Sequence, residues 1–304
     1  MLKRLIKIAI ISMISGSIVF AANFNAQAEK DRKAFVNYFL KKFQDPVKNH
    51  AQYFPYVSVA EIKKDYRYPL SFQDFQDGSL AWYKPSREQF AELNEFPAYS
   101  LEVDDGEALW NKPFANGKTY SSCFPKGPGV RNDYPYFDTK TNEVVTIGQA
   151  VNACRVKNGE KPYKYGKGKI AKVIAYMAFK SRGKKIHVTI PSMAAAKAYE
   201  HGKKEFYKQR GYLSLSCNEC HVKSAGKRLR AESLSPALGQ TTEMPVYRVK
   251  GNGTLLTLQA RLAGCVKGTG AEKPKLQSKT LRDLSYFLTY MSNGMKLYGP
   301  DTRK

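Results

Sequence analysis

Five cysteines and four histidines carry most of the chemistry open to this 304-residue chain, and three of them share one pentapeptide, Cys217-Asn218-Glu219-Cys220-His221. Two thiols on one turn can add across the two vinyl groups of a porphyrin, and the adjacent imidazole then reaches the iron. This is the attachment pattern of c-type haem. A redox dithiol or half a zinc site would share the spacing, but no second Cys/His pair follows at zinc spacing. One covalently attached haem c is therefore expected, held by Cys217 and Cys220, with His221 on the iron.

Three cysteines remain. In an oxidising compartment the spare thiols Cys123 and Cys154 are expected to form a disulfide. That leaves Cys265, which is either an inert buried thiol or a distal iron ligand. Met244, in Met244-Pro245, is the rival ligand, because methionine is the usual distal partner in electron-transfer cytochromes. His187 and His201 are weaker rivals, since histidines at such positions are more often structural. Arg261 lies four residues before Cys265 in a stretch, 255–262, that reads as helical, so guanidinium and sulfur share a face. A lone arginine is usually solvated. Beside a thiol over a haem, its planar donor fork suits an oxoanion.

The elements that position these residues repeat. Cys154 is followed by Glu160-Lys161-Pro162, an amphipathic helix and Gly183; Cys265 is followed by Glu272-Lys273-Pro274, another such helix and Gly294. Each cysteine precedes its glycine by the same distance, and each glycine suits the left-handed residue that ends a helix. Ile170, Val173, Ile174 and Met177 line one helix, and Leu281, Leu284, Leu288 and Met291 the other. The register pairs Cys265 with Cys154 and so turns Cys265 towards the haem site. A mainly α fold follows, with two cytochrome c-like domains related by duplication. Residues 29–195 would hold an N-terminal extension and a haem-less domain, and residues 196–304 the haem domain. The extension, rich in Tyr, Phe and Pro, reads as loops after one amphipathic helix in which Phe35, Tyr38, Phe39 and Phe43 share a face.

Residues 1–28 read as a secretory signal, with a basic head of Lys3, Arg4 and Lys7, an apolar stretch from Ile8 to Phe20, and Ala26-Gln27-Ala28 for cleavage. The apolar run falls short of the ~20 residues that span a bilayer, so an uncleaved anchor is the lesser reading. No later segment is apolar enough to span. A periplasmic location is expected. Losing three basic residues and no acidic one takes the formal charge from +24 to +21. Such a field attracts anions and acidic partners. Export, and the lack of an aromatic-basic binding motif, argue against nucleic acid.

At these residues the chain resembles the SoxA family, the larger subunit of SoxAX cytochromes, L-cysteine S-thiosulfotransferases of periplasmic sulfur oxidation. The resemblance runs from about residue 30 to the C-terminus. It is carried by 114–120, Cys123-Phe124-Pro125, 134–138, Asn152-Ala153-Cys154-Arg155, the haem motif, 225–230, 235–239, Pro245-Val246-Tyr247-Arg248 and 261–265. It fits the single-haem branch. It implies that His221 and Cys265 ligate the iron, that Cys265 carries a persulfide, that Arg261 binds substrate, and that Cys123–Cys154 replaces a lost haem. It further implies a SoxX-like cytochrome partner, and oxidative conjugation of thiosulfate to a cysteine of a SoxYZ-like carrier. The alternatives are a plain electron-transfer cytochrome and a thiosulfate dehydrogenase that forms tetrathionate. One departure stands out. The family often places an arginine after the ligand cysteine, whereas Thr269-Gly270-Ala271-Glu272 has none, so Lys267 or Lys273 must substitute or the second cation is absent.

Overall fold

The structure is a computed structural model that describes residues 25–48, 58–80, 84–229, 232–249 and 253–303; the expected signal up to residue 24 lies outside them. Helix α1 covers 25–42, followed by α2 (Val59–Asp65), α3 (Lys84–Glu95) and α4 (Ser100–Asn111). Strands β1 (Tyr136–Asp138) and β2 (Glu143–Val145) form a hairpin, then come α5 (Ile147–Lys157), α6 (Lys169–Phe179) and α7 (Met193–Tyr207). The haem motif runs into the π-helical turn Glu219–Lys223, which holds its last three residues. After it stand the short hairpin β3 (Arg228–Leu229) and β4 (Glu232–Ser233), then β5 (Val246–Arg248), β6 (Thr254–Leu256), α8 (Leu258–Gly268), α9 (Lys279–Met291) and β7 (Asp301–Arg303). The last sheet has the order β6-β5-β7, with β7 parallel to β5. Among the described residues no helix is long and apolar enough to cross a membrane.

Local chemistry sets these helices. Thr146 accepts from the Gln149 amide while the Gln149 side chain returns to the Thr146 N–H, a capping box at the start of α5. Thr257 caps α8 through Ala260, and Ser278 caps α9 through Leu281. The two apolar stripes expected from sequence are buried, Ile170, Val173, Met177 and Leu281 completely and Leu284 and Met291 nearly so. Gly183 and Gly294 take φ of 80° and 85°, as a helix stop requires.

Two helix crossings dominate, α4 against α6 and α7 against α9. Each rests on a glycine. A Cβ on Gly106 would lie 2.1 Å from the Lys172 carbonyl oxygen and 3.0 Å from Tyr176 Cβ. A Cβ on Gly202 would lie 2.0 Å from the Asp283 oxygen and 3.0 Å from Phe287 Cβ. Lys172 and Asp283, Tyr176 and Phe287, the caps Thr146 and Thr257, and Cys154 and Cys265 are all related by one constant offset. So are Lys185 and Lys296, which pair with each other in an antiparallel bridge between the two halves.

The two cores exchange material. Val144 of β2 is buried with α7 and α9, whereas Leu255 of β6, its counterpart, is buried with α4, α5 and α6. Each half thus lends a hairpin to the other, and the sequence boundary near residue 195 is not a spatial one; α7 already starts at Met193, capped by Ser192. The early part of the N-terminal extension, up to Phe75 and grouped by sequence with the first half, packs on the second, whereas α4 belongs to the first-half core. Phe35, Phe39, Phe43 and Phe75 form an aromatic cluster that reaches Phe206 on α7.

Three local expectations need correction, and one observation bears on the end of the expected signal. The extension is not loop-rich, because α3 and α4 are full helices there. In α4 a mid-helix glycine and two adjacent aspartates blur the periodic signal, and the tight crossing over α6 supplies what propensity lacks. Tyr38 leaves the aromatic face and is 43% exposed, because only the i, i+4 series of Phe35, Phe39 and Phe43 stays in line with the core. Residues 255 and 256 belong to β6, and α8 begins at Leu258, after its Thr257 cap. Residues 25–28 of the expected signal lie in α1: Ala28 is 1% exposed, and the Asn25 carboxamide pairs with both the N–H and the carbonyl of Ile190, at 3.1 and 2.8 Å.

Candidate functional site

After α7 the chain turns through a tight loop closed by the Arg210–Leu215 bridge and delivers Cys217 to the start of the π-helical turn. The Ser216 hydroxyl accepts from the Glu219 amide and starts that turn. Lys42, buried in α1, donates to the Val222 and Lys223 carbonyls at 2.5 and 2.8 Å and closes its other end. Cys217 and Cys220 are free, half-buried thiols. Burial pushes the Cys217 thiol up to about 11 and raises Cys220 as well, so both stand as neutral thiols.

The His221 ring is fixed from behind. Its Nδ1 lies 2.9 Å from the Ser235 carbonyl, which accepts its proton, and the Gln240 amide lies 2.9 Å from the same nitrogen. One proton cannot be shared with an amide donor, so the carbonyl end of Gln240 is the end that fits there. With Nδ1 held from behind, Nε2 is the nitrogen left to the cavity, the one that would ligate an iron. The loop that carries Ser235 and Gln240 is held by Gly239 (φ 85°), where a Cβ would lie 2.0 Å from the Phe75 oxygen.

Opposite the ring stands Cys265 on α8, exposed along the cavity and within hydrogen-bonding reach of His221. Burial among the cavity walls would raise this thiol. The His221 hydrogen bond and charge, followed by the charges of Arg261 and Arg248, hold it below the ordinary thiol value. His221, Cys265, Cys217, Cys220 and Arg261 all line one cavity of about 580 Å³, whose walls include Leu215, Val246, Leu258, Leu262 and Leu288. Its volume is that of a small-molecule or cofactor site. Paired thiols, an imidazole with its outer nitrogen anchored and an apolar wall fit a covalently attached haem c. Cys217 and Cys220 would carry the thioethers, and His221 and Cys265 would face the iron. Among the described residues no cluster of three or more His, Cys, Asp or Glu side chains could hold a bare metal ion.

The rival ligands separate in space. Met244 lines the cavity, but Cys265 holds the position against the ring. His201 lies outside it, with Nδ1 2.7 Å from Asp283 and Nε2 3.8 Å from Glu205. His187 follows Ile186 in the segment joining the halves, where its N–H donates to the Asn132 carbonyl. Neither Lys267 nor Lys273 is among the cavity-lining residues. Sequence reasoning gives no role to Ser235, Gln240, Lys42 or Arg248. The first three act through tertiary contacts that leave no local pattern. Arg248 sits in a family-like stretch, but no spacing ties it to Cys265.

In the other half Cys123 and Cys154 are disulfide-bonded, with Cα atoms 5.8 Å apart. Around them the space is filled: Trp110 stacks on Tyr120 at 5.3 Å and meets Phe124 at 5.4 Å, and Phe114 lies edge-on to Tyr120 at 5.0 Å. Asn158 donates to the Cys154 carbonyl and lies within 3.7 Å of both sulfurs.

Comparison with known proteins agrees with this geometry. A family model, the cytochrome c domain of SoxA/TsdA, matches residues 105–186 and 201–297. The L-cysteine S-thiosulfotransferase subunit SoxA of Chlorobaculum tepidum is 48% identical, over 93% of this chain and 90% of that protein. The same subunit from Allochromatium vinosum is 45% identical, over 78% of this chain and 85% of the relative. Among solved structures, the crystal structure of SoxXA from P. pantotrophus superposes with a TM-score of 0.65 at 30% identity, covering 71% of this chain and 84% of that one.

Proposed function

We propose, of a chain that belongs to the SoxA/TsdA cytochrome c family and is similar within it to SoxA subunits, that it is the catalytic subunit of an L-cysteine S-thiosulfotransferase. The substrate is thiosulfate, the acceptor a cysteine on a SoxYZ-like carrier protein, and the partner a SoxX-like cytochrome subunit. The compartment is the periplasm. The observation that carries this reading is the convergence of Arg261 and Cys265 with the Cys217-Cys220-His221 motif on one cavity. The likeness to the solved SoxXA complex supports the choice of partner.

Arg261 holds the sulfonate end of thiosulfate through its donor fork, which aligns the outer sulfur with Cys265. Cys265 works as a persulfide. The cations around it keep the sulfur anionic and therefore nucleophilic. A sulfur–sulfur bond forms between the persulfide sulfur and the outer sulfur of thiosulfate, and two electrons leave. Haem c, which Cys217, Cys220 and His221 would hold, would supply one one-electron acceptor, and the haem of the SoxX-like subunit would supply the second. The carrier's thiolate then attacks the outer thiosulfate sulfur, takes the thiosulfonate group and leaves the Cys265 persulfide behind, an exchange with no net redox change.

The first half is read as a duplicate cytochrome domain without haem. The constant offset between matching contacts supports this, and so do the aromatic side chains and disulfide that fill its interior. One haem per chain follows.

Two variants test the reading. Arg261→Ala should keep the haem and lose turnover by on the order of a hundredfold. Cys265→Ser should change the oxidised haem spectrum as well as abolish conjugation. An unchanged spectrum sinks the ligand assignment and favours a plain electron carrier. Tetrathionate formed from thiosulfate without any carrier protein would point instead to a thiosulfate dehydrogenase.

A further inference from the structure

Between the two halves lies a second cavity, of about 50 Å³, that the proposed chemistry does not use. Helices α5 and α8 both begin at it. Thr146, Ile147 and Gly148 line it from one half, and Thr257, Leu258 and Gln259 from the other. The first amides of a helix have no acceptor inside it, and they carry the positive end of its dipole. Thr146 and Thr257 each satisfy one of them, at Gln149 and Ala260. The internal repeat thus brings two helix N-termini to one place.

A full charge joins them. Arg131 lines the same cavity and is 4% exposed. Its guanidinium donates to the Tyr134 carbonyl at 2.9 Å and to the Thr241 carbonyl at 3.2 Å, which uses two of its five N–H groups. Among the described residues no carboxylate lines the cavity or pairs with Arg131. Burial alone draws the group down to about 10. A buried cation without a counter-charge is costly, and two carbonyl dipoles do not neutralise it. Gln277 adds a donor. Its Oε1 accepts from the Thr146 hydroxyl at 2.8 Å, and its Nε2 has no acceptor among the described residues.

We propose that this cavity binds a small inorganic monoanion of the halide class, chloride, between Arg131 and the starts of α5 and α8. One negative charge balances one guanidinium, and the two helix dipoles and the Gln277 amide solvate it. A dianion would bring a second full charge that only partial charges oppose. The space holds roughly four waters, enough for a halide and what remains of its hydration. Bound there, the ion braces the two halves. It joins α5 of one to α8 of the other, and Arg131 extends the brace through Thr241 to the loop of Gln240.

The test uses the haem-loaded protein. Crystals grown with bromide in place of chloride, measured at the bromine absorption edge, should show an anomalous peak within hydrogen-bonding distance of the Arg131 guanidinium. In solution, chloride replaces methanesulfonate at constant ionic strength. The melting temperature should rise with the logarithm of chloride, by roughly 5–10 °C at a hundredfold excess over Kd. Arg131→Met should lose both signals. Because that variant also gives up two backbone contacts, Gly148→Ala is the second. Its Cβ would meet nothing closer than 3.5 Å, where Gln277 Nε2 stands, so it should fold, intrude on the site and move the chloride response to higher concentration. The absence of a bromide peak at Arg131 overturns the proposal. So does a chloride response equal in the parent and the variants, the result expected if Arg131 only clamps backbone. Sulfate at that position, in crystals that contain both ions, overturns the choice of a monoanion.

Discussion

Gly202 offers a prediction in which propensity and packing disagree in sign. It sits inside α7, where replacing glycine by alanine should by propensity alone gain about 1 kcal/mol. The structure says the opposite. The new Cβ would lie 2.0 Å from the Asp283 carbonyl oxygen and 2.5 Å from its carbon, both backbone atoms of a buried helix with no side chain to swing away. Relief requires α7 and α9 to part by more than an ångström, which opens the core around Phe287 and Leu284. Overpacking of this kind costs about 1–3 kcal/mol, and a backbone clash belongs at the upper end. Set against the propensity gain the net loss is about 2 kcal/mol, so at ~2–4 °C per kcal/mol Gly202→Ala should melt roughly 4–8 °C below the parent. Gly106→Ala, 2.1 Å from the Lys172 oxygen, should behave alike. Gly264→Ala is the control, because nothing lies within 4 Å of its Cβ, and it should gain about 0.5–1 kcal/mol. Thermal melts by circular dichroism on haem-loaded protein read all three. A Gly202→Ala melt at or above that of the parent refutes the argument that close backbone contact sets this crossing.

Three further outcomes follow from the same geometry. Replacing both Cys123 and Cys154 by serine opens a loop with a sequence separation of 31 and should cost about 3.5–4 kcal/mol, read from the urea midpoint, while the haem spectrum stays unchanged. Glu205→Gln removes the partner of Arg210. Burial would raise the Glu205 carboxyl, but the Arg210 hydrogen bond, with Lys208 and His201 near, holds it below its ordinary value. The carboxylate therefore contributes stability above the unfolded value of ~4.3 and loses it as pH falls through the folded one. The variant should be less stable by about 3 kcal/mol at neutral pH and approach the parent below about pH 4; a pH-independent gap would count against the pairing. Asn25→Ala should cost about 1–2 kcal/mol for two backbone hydrogen bonds. N-terminal sequencing of the exported protein should still find Asn25, and a mature chain starting at Glu29 would contradict that anchor.

Much of the site is legible before any coordinates because it is local. Cys217, Cys220 and His221 lie on one turn, Arg261 and Cys265 are one helical turn apart, and the stripes of α6 and α9 repeat at helical spacing, so pattern alone can find them. The unseen residues act across long separations. Ser235 and Gln240 orient His221 through a loop returning over the haem segment, Lys42 reaches it from the N-terminal helix, and Arg248 approaches Cys265 from a strand. Likewise α4 escapes a linear reading because its glycine marks a weak helix until the Lys172 backbone is brought against it.

Read alone, the sequence carries the haem-attachment pattern, the cysteines left over from it and the register that matches Cys154 to Cys265. Each depends on residue type and short spacing. The tertiary structure alone decided that the halves interlock, with Val144 buried in one core and Leu255 in the other, and that the aromatic extension packs behind the haem segment. It also decided which cations face the thiol. Burial and charge are summed over everything brought near in space, and a linear pattern carries no record of that neighbourhood.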